Sequence, residues 1–192
     1  MFKFKKMASV WAVTLCTTAP ALWAAQTQSM QDYHLSVYHG AQEQVSDIEL
    51  FTKMPNKEVF FGVSCSEMSP FVMVQMVLLN DAVLLESPRL LSVSYKIDGV
   101  VQAIALQGIV TVVDTAEEYS NKVRFELATG NAKLKLANLQ QMQAHYNQLL
   151  DALQNGQQID IRLEHKSIGV RDYVFSLNGL KPLLAPYTEV CK

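Results

Sequence analysis

The chain has 192 residues, of which 49% are hydrophobic, with 16 basic side chains against 18 acidic ones. That near balance leaves no basic face of the kind a nucleic-acid partner needs. No apolar run after the first thirty residues approaches the roughly twenty needed to span a bilayer, and there is no repeat or low-complexity tract.

The first 25 residues read as a secretory leader. Lys3, Lys5 and Lys6 form a basic start, a run of roughly ten mostly apolar residues follows from Met7 to Cys16, and small residues close it. Cleavage sites fall after Ala21, Ala24 or Ala25, the later ones favoured because the polar run Gln26-Thr27-Gln28-Ser29 begins there. Cys16 follows Leu15 rather than a small residue, so it reads as part of the leader and not as a lipid anchor. Export to a bacterial periplasm is the simplest expectation. Removing the three lysines leaves 13 basic against 18 acidic residues, a net charge near −5. About 165 residues then remain, enough for one domain with its own core over 33–192, preceded by a flexible segment at 26–32.

Tyr33, Leu35 and Val37 alternate with polar neighbours and predict a first strand, ended by Gly40. A less regular strand spans 45–51 and closes at Met54-Pro55-Asn56. In 59–65 the odd positions Val59, Phe61, Val63 and Cys65 share one face, which points the Cys65 thiol into the core. The only other cysteine after the leader is Cys191. An even pair in an oxidising compartment predicts a Cys65–Cys191 disulfide that staples the tail to this strand.

The nearly continuous apolar run 71–79 predicts a strand covered on both faces, turning at Asn80-Asp81 into 82–85. Leu91, Val93, Tyr95 and Ile97 then alternate, and Asp98-Gly99 leads to Val100, Ile104 and Leu106: a type I′ hairpin whose return strand continues to Val113 with a kink at Gly108. Val123, Phe125 and Leu127 make another strand, which Thr129-Gly130-Asn131 turns toward Leu134 and Leu136.

One long helix stands out. Leu139, Met142, Tyr146, Leu149, Leu150 and Leu153 form a single apolar stripe, with Asn138 and Gln141 placed as a capping box and Asn155-Gly156 as a left-handed stop. Its other face, with Gln140, Gln143, Asn147 and Asp151, should meet water. Strands over 159–163 and 170–177 follow, and Pro182 and Pro186 limit the tail to a short or broken helix ending at Cys191. The sum is a mainly antiparallel β-sandwich of eight to ten short strands with one inserted amphipathic helix and a short C-terminal helix.

The order of these features is similar to that of known families. The strand Phe60-Phe61-Gly62-Val63-Ser64-Cys65, the hairpin Tyr95-Lys96-Ile97-Asp98-Gly99, a helix leading to Gln158-Ile159-Asp160-Ile161-Arg162, and the ending Tyr173 to Leu180 with Cys191 carry the likeness. Together they resemble the periplasmic accessory proteins of type VI secretion called TagO or VasI and the invasion-associated locus B proteins. The resemblance spans most of the mature chain and implies a periplasmic β-sandwich. The tryptophan those families often place after the hairpin is missing from 100–106, so the likeness implies fold ahead of function.

Chemistry-bearing residues are sparse. His34 and His39 lie on opposite faces of one strand, and His145 and His165 stand far apart in sequence, so no metal site is expected. Met68, Met73 and Met76 read as core packing rather than as thioether ligands. Ser64 lacks the glycine elbow of a serine hydrolase. Asp114, Glu117, Glu118 and Tyr119 cluster at a turn and form a candidate protein-contact loop. The expected function is a non-enzymatic, cofactor-free periplasmic adaptor docking on another envelope component, such as part of a secretion system. The alternative is a carrier of a small apolar ligand, with its cavity under the 71–79 strand and the helix.

Overall fold

The structure, a computed structural model, describes residues 25–79, 90–114, 119–128 and 136–191. The expected leader up to its last residue, the Asn80-Asp81 turn with 82–85, Glu117, Glu118, and the 129–131 turn with Leu134 lie outside these residues.

The chain is mainly β, as expected. Eleven strands form one antiparallel sheet, with one helix inserted late and a short one near the C-terminus. The first five strands run as a meander: β1 (Gln26–Met30), β2 (Tyr33–His39), β3 (Val45–Lys53), β4 (Val59–Ser66) and β5 (Met73–Leu79). Next to β5 comes not its successor but β9 (Tyr119–Leu127), then β8 (Leu106–Asp114), β6 (Leu90–Ile97), β10 (Gln158–His165) and β11 (Gly169–Ser176) at the far edge. A two-residue strand, β7 (Val100–Val101), pairs with the end of β6.

Period-two alternation explains the shape. Leu35 and Val37, Ile48 and Leu50, Phe61 and Val63, Val123 and Phe125, Ile159 and Ile161, and Tyr173 and Phe175 are all buried, and each strand buries alternate positions. A sheet with one apolar face on every long strand has to curl until that face meets itself. It does so across the middle, where the rings of Phe61 on β4 and Phe175 on β11 stand 5.4 Å apart. Gly62 points the other way, and a Cβ there would fall 2.4 Å from the Leu50 carbonyl oxygen and from the Phe51 ring.

The inserted helix α1 (Leu136–Asn155) lies against this inner face, burying Tyr146, Leu149, Leu150 and Leu153. It begins two residues before the expected cap, so Asn138 lies inside its first turn and Leu136 is helical rather than strand. Leu139, expected in the buried stripe, is 40% exposed. Gly156 does follow the helix, but not as a left-handed stop, since its φ is not among the positive ones. Its reason is contact: a Cβ there would lie 2.4 Å from Ile97 Cγ2.

Three further expectations change. Residues 26–30, expected to be flexible, form β1, hydrogen-bonded along β2 from Gln26↔Val37 to Met30↔Tyr33. The Asp98-Gly99 turn has φ of 50° and 79°, as a type I′ hairpin requires, yet the return strand pairs for only two residues. The chain then leaves the ladder at 102–105, so the irregularity sits there and not at Gly108. Gly108 is a regular β8 residue facing inward, where a Cβ would sit 3.1 Å from Val123 Cγ1 and 3.3 Å from the Leu91 Cβ. The Asp98 carboxylate also reaches across to β10, accepting the backbone N–H groups of Gln157 and Gln158 at 3.0 and 2.9 Å.

The tail closes the fold. Helix α2 (Leu180–Leu184) buries Leu180, Leu183 and Leu184, and a 3-10 turn over Ala185–Tyr187 carries the chain to Cys191. Cys65 and Cys191 form a disulfide with a Cα–Cα distance of 5.1 Å across 126 residues. At the other end of α2, Gly179 (φ 99°) has room for no Cβ, because the Met30 carbonyl oxygen would be 2.2 Å away, and Asp32 N–H donates to Asn178 O at 3.4 Å. The tail thus touches both the β1–β2 turn and β4.

In the chain-entropy account, closing so long a loop removes about 5 kcal/mol from the unfolded state's advantage. The Cys65→Ala/Cys191→Ala double variant should therefore melt on the order of 10–20 °C below the parent. Calorimetry of the two proteins checks this, and a drop under about 3 °C would show that the bridge does not constrain the unfolded chain.

Candidate functional site

A cleft with ligand-binding character arises where the sheet splits. β6 and β8 share only three pairs, Leu90↔Ile109, Leu91↔Gly108 and Ser92↔Gln107. Beyond Ser92 the two strands part, and the segment 102–105 crosses the gap. It is held at its ends, where Gln102 N–H donates to Tyr95 O at 3.4 Å and Ala105 O accepts from Ala128 N–H at 3.0 Å. The first half of α1 runs beside this segment without packing flat on it. A cleft of about 400 Å³ remains between them.

One wall is apolar and built of small residues: Ala103, Ile104 and Ala105 from the crossing segment, with Leu127 and Ala128 at the end of β9. The other is α1, which presents Asn138, Gln141, His145 and Gln148 together with Met142. Volume and composition both match small-ligand sites, which are mainly apolar with a few convergent polar groups.

Next to the cleft, Tyr146 ties α1 to the end of β9. Its ring packs 5.4 Å from that of Phe71, and its hydroxyl accepts the Leu127 N–H at 3.4 Å. Burial pushes this hydroxyl's pKa above the ordinary tyrosine value, the Leu127 bond pulls it back, and the nearby Glu126 carboxylate raises it again. The phenol therefore stays neutral and acts as a strut between helix and strand.

The cavity expected under the 71–79 strand is a different place, and it is filled. There Val74, Phe61, Phe125, Leu149 and Leu153 pack with about 10 Å³ left between them. Large apolar side chains on both elements interlock, whereas alanines opposite glutamines leave room.

The other residues singled out in the sequence do not converge on a reactive site. Asp114 and Tyr119 pair as the closing residues of the β8–β9 hairpin. They stand at its far end, about 27 Å of strand from the cleft. Among the described residues no group of three metal-ligating side chains comes together. His34 Nδ1 lies 2.7 Å from Ser29 Oγ, and His165 Nδ1 lies 2.7 Å from Ser167 Oγ, both on exposed hairpins. Of Met68, Met73 and Met76, only Met76 is fully buried. Met68 is 92% exposed after β4 and Met73 faces outward, so the expectation of core packing fails for these two.

Against known proteins, the chain matches no family model and no curated sequence.

If ring packing rather than the long hydrogen bond holds the helix to β9, two substitutions should separate. Tyr146→Phe should cost less than about 1 kcal/mol in urea unfolding, and Tyr146→Ala about 3–5 kcal/mol. Equal costs would assign the wall's position to the hydroxyl instead.

Proposed function

We propose that this chain is a non-enzymatic binding protein of an oxidising compartment outside the cytoplasm, and that its cleft holds a small, mainly apolar ligand. The cleft beside α1 carries this reading: about 400 Å³, walled by alanine, leucine and isoleucine on one side and by amides on the other. His145 is the one titratable side chain of its lining, so the site offers grip and orientation rather than paired acid–base chemistry. The compartment is supported by the Cys65–Cys191 bridge, since such bridges persist where thiols are oxidised, and by the leader-like first 25 residues.

The probe is Nile red, an uncharged apolar dye. It should bind with a rise in fluorescence, and Ala105→Trp, which places an indole in the cleft, should abolish the rise without lowering the melting temperature. Failure of the dye to bind, or equal binding by the variant, would remove the reading.

A second reading, docking on another envelope component such as part of a secretion system, is favoured by a different observation. Val101 on β7 is 69% exposed and Val174 on β11, two strands beyond β6, is 42% exposed. In register they flank Lys96 and Asp160 across the outer surface of β6 and β10. Val101→Glu/Val174→Glu should leave the fold and Nile red binding intact but abolish recovery of an envelope protein by chemical cross-linking in cells of the source organism. Unchanged cross-links would set this surface aside.

A further inference from the structure

The helical wall of the cleft carries more information than its volume. Asn138, Gln141, His145 and Gln148 follow one another at spacings of three, four and three, which sets them in a single row along α1. At 1.5 Å per residue the row is about 15 Å long, the length of four or five residues of extended chain. Among the described residues no Asp, Glu, Lys or Arg lines the cleft.

We infer that the cleft takes an uncharged, extended peptide segment with small side chains, its backbone against the amide row and its alternate side chains against the alanine wall. This rests on the binding function proposed above and names the ligand class. The Gln141 and Gln148 amides each offer both donors and an acceptor, the same complement as a peptide group, so the row can serve successive N–H and C=O groups. An acyl chain would cover that row without pairing it and would leave the amides desolvated. A charged ligand would lose its hydration and find no countercharge among the described lining residues. Ala103, Ala105 and Ala128 opposite the row leave depth for side chains of alanine size, and alternation in an extended peptide turns every second one toward them.

Competition against bound Nile red tests the inference on the intact protein. The competitors are an acetylated and amidated pentapeptide alternating alanine and serine, the same peptide with glutamate in place of alanine, and monooleoylglycerol. The neutral peptide should displace the dye. The Gln141→Leu/Gln148→Leu variant, both sites being exposed on the helix, should bind the peptide about tenfold more weakly once displacement is referred to the variant's own Nile red affinity. Three results overturn the peptide assignment while leaving a small-ligand protein standing: displacement by monooleoylglycerol but not by peptide, peptide binding indifferent to the two leucines, or the glutamate peptide competing as well as the neutral one. If Nile red itself does not bind, both readings fall together.

Discussion

One constraint organises this protein: a single continuous sheet carries an apolar face on every long strand, and that face has only itself and one helix to meet. Flat, such a sheet would expose Phe61, Phe125, Phe175 and their neighbours to water. Burying side chains of this size is worth about 1.5–3 kcal/mol each. The sheet therefore curls until β11 stands over β4, and α1 fills the inner face where the curl leaves it open. The Cys65–Cys191 bridge and the Met30–Gly179 contact then hold the tail across β4 and the β1–β2 turn, near the edge strand β1.

The cleft follows from the same constraint. A ten-strand path cannot keep every neighbour paired while curling round a helix, and the ladder gives way between β8 and β6, where three residue pairs remain. What fills the gap is a short irregular segment with no large side chain but Ile104, set beside the half of α1 whose apolar stripe is incomplete. Leu139 turns outward, Met142 is half-buried, and the interlocking contacts begin only at Tyr146. The helix is thus two devices in one: its second half is core and its first half is a wall.

The parts legible in the sequence were those that depend on a residue's own period. Alternation identified the inner face of β2, β4, β6, β9 and β10, the stripe from Tyr146 to Leu153 identified the buried side of the helix, and two cysteines identified their bridge. Neighbours across the sheet were not legible, because period two names a face and never a partner. Nothing in β5 says that β9, forty residues on, lies beside it. β1 was missed because a polar edge strand such as Gln26–Met30 buries nothing and so carries no alternation. Gly156 was correctly marked as a helix end for the wrong reason, since a steric contact with Ile97 leaves no local signal. Hydrophobic run length placed the cavity under the 71–79 strand, but long apolar side chains fill space. The space lies where small ones face amides.

The polar row on α1 shows why the site itself was hidden. Gln141 and Gln148 look in sequence like any glutamine on a solvated helix face, as Gln140 and Gln143 do. Only the crossing segment 102–105 gives two of these amides an opposite wall. The distribution of charge then separates the two sets. The chain carries 16 basic and 18 acidic side chains, and the outer surfaces hold pairs such as Arg162 with Asp172 at 2.7 Å, yet among the described residues no charged side chain lines the cleft. A surface depression shaped only by water would collect charges at the same frequency as its surroundings. A cleft that must be dried by its occupant cannot keep them, because each would lose its hydration without gaining a partner. Uncharged amides facing alanines are what such a site can tolerate when empty and satisfy when full.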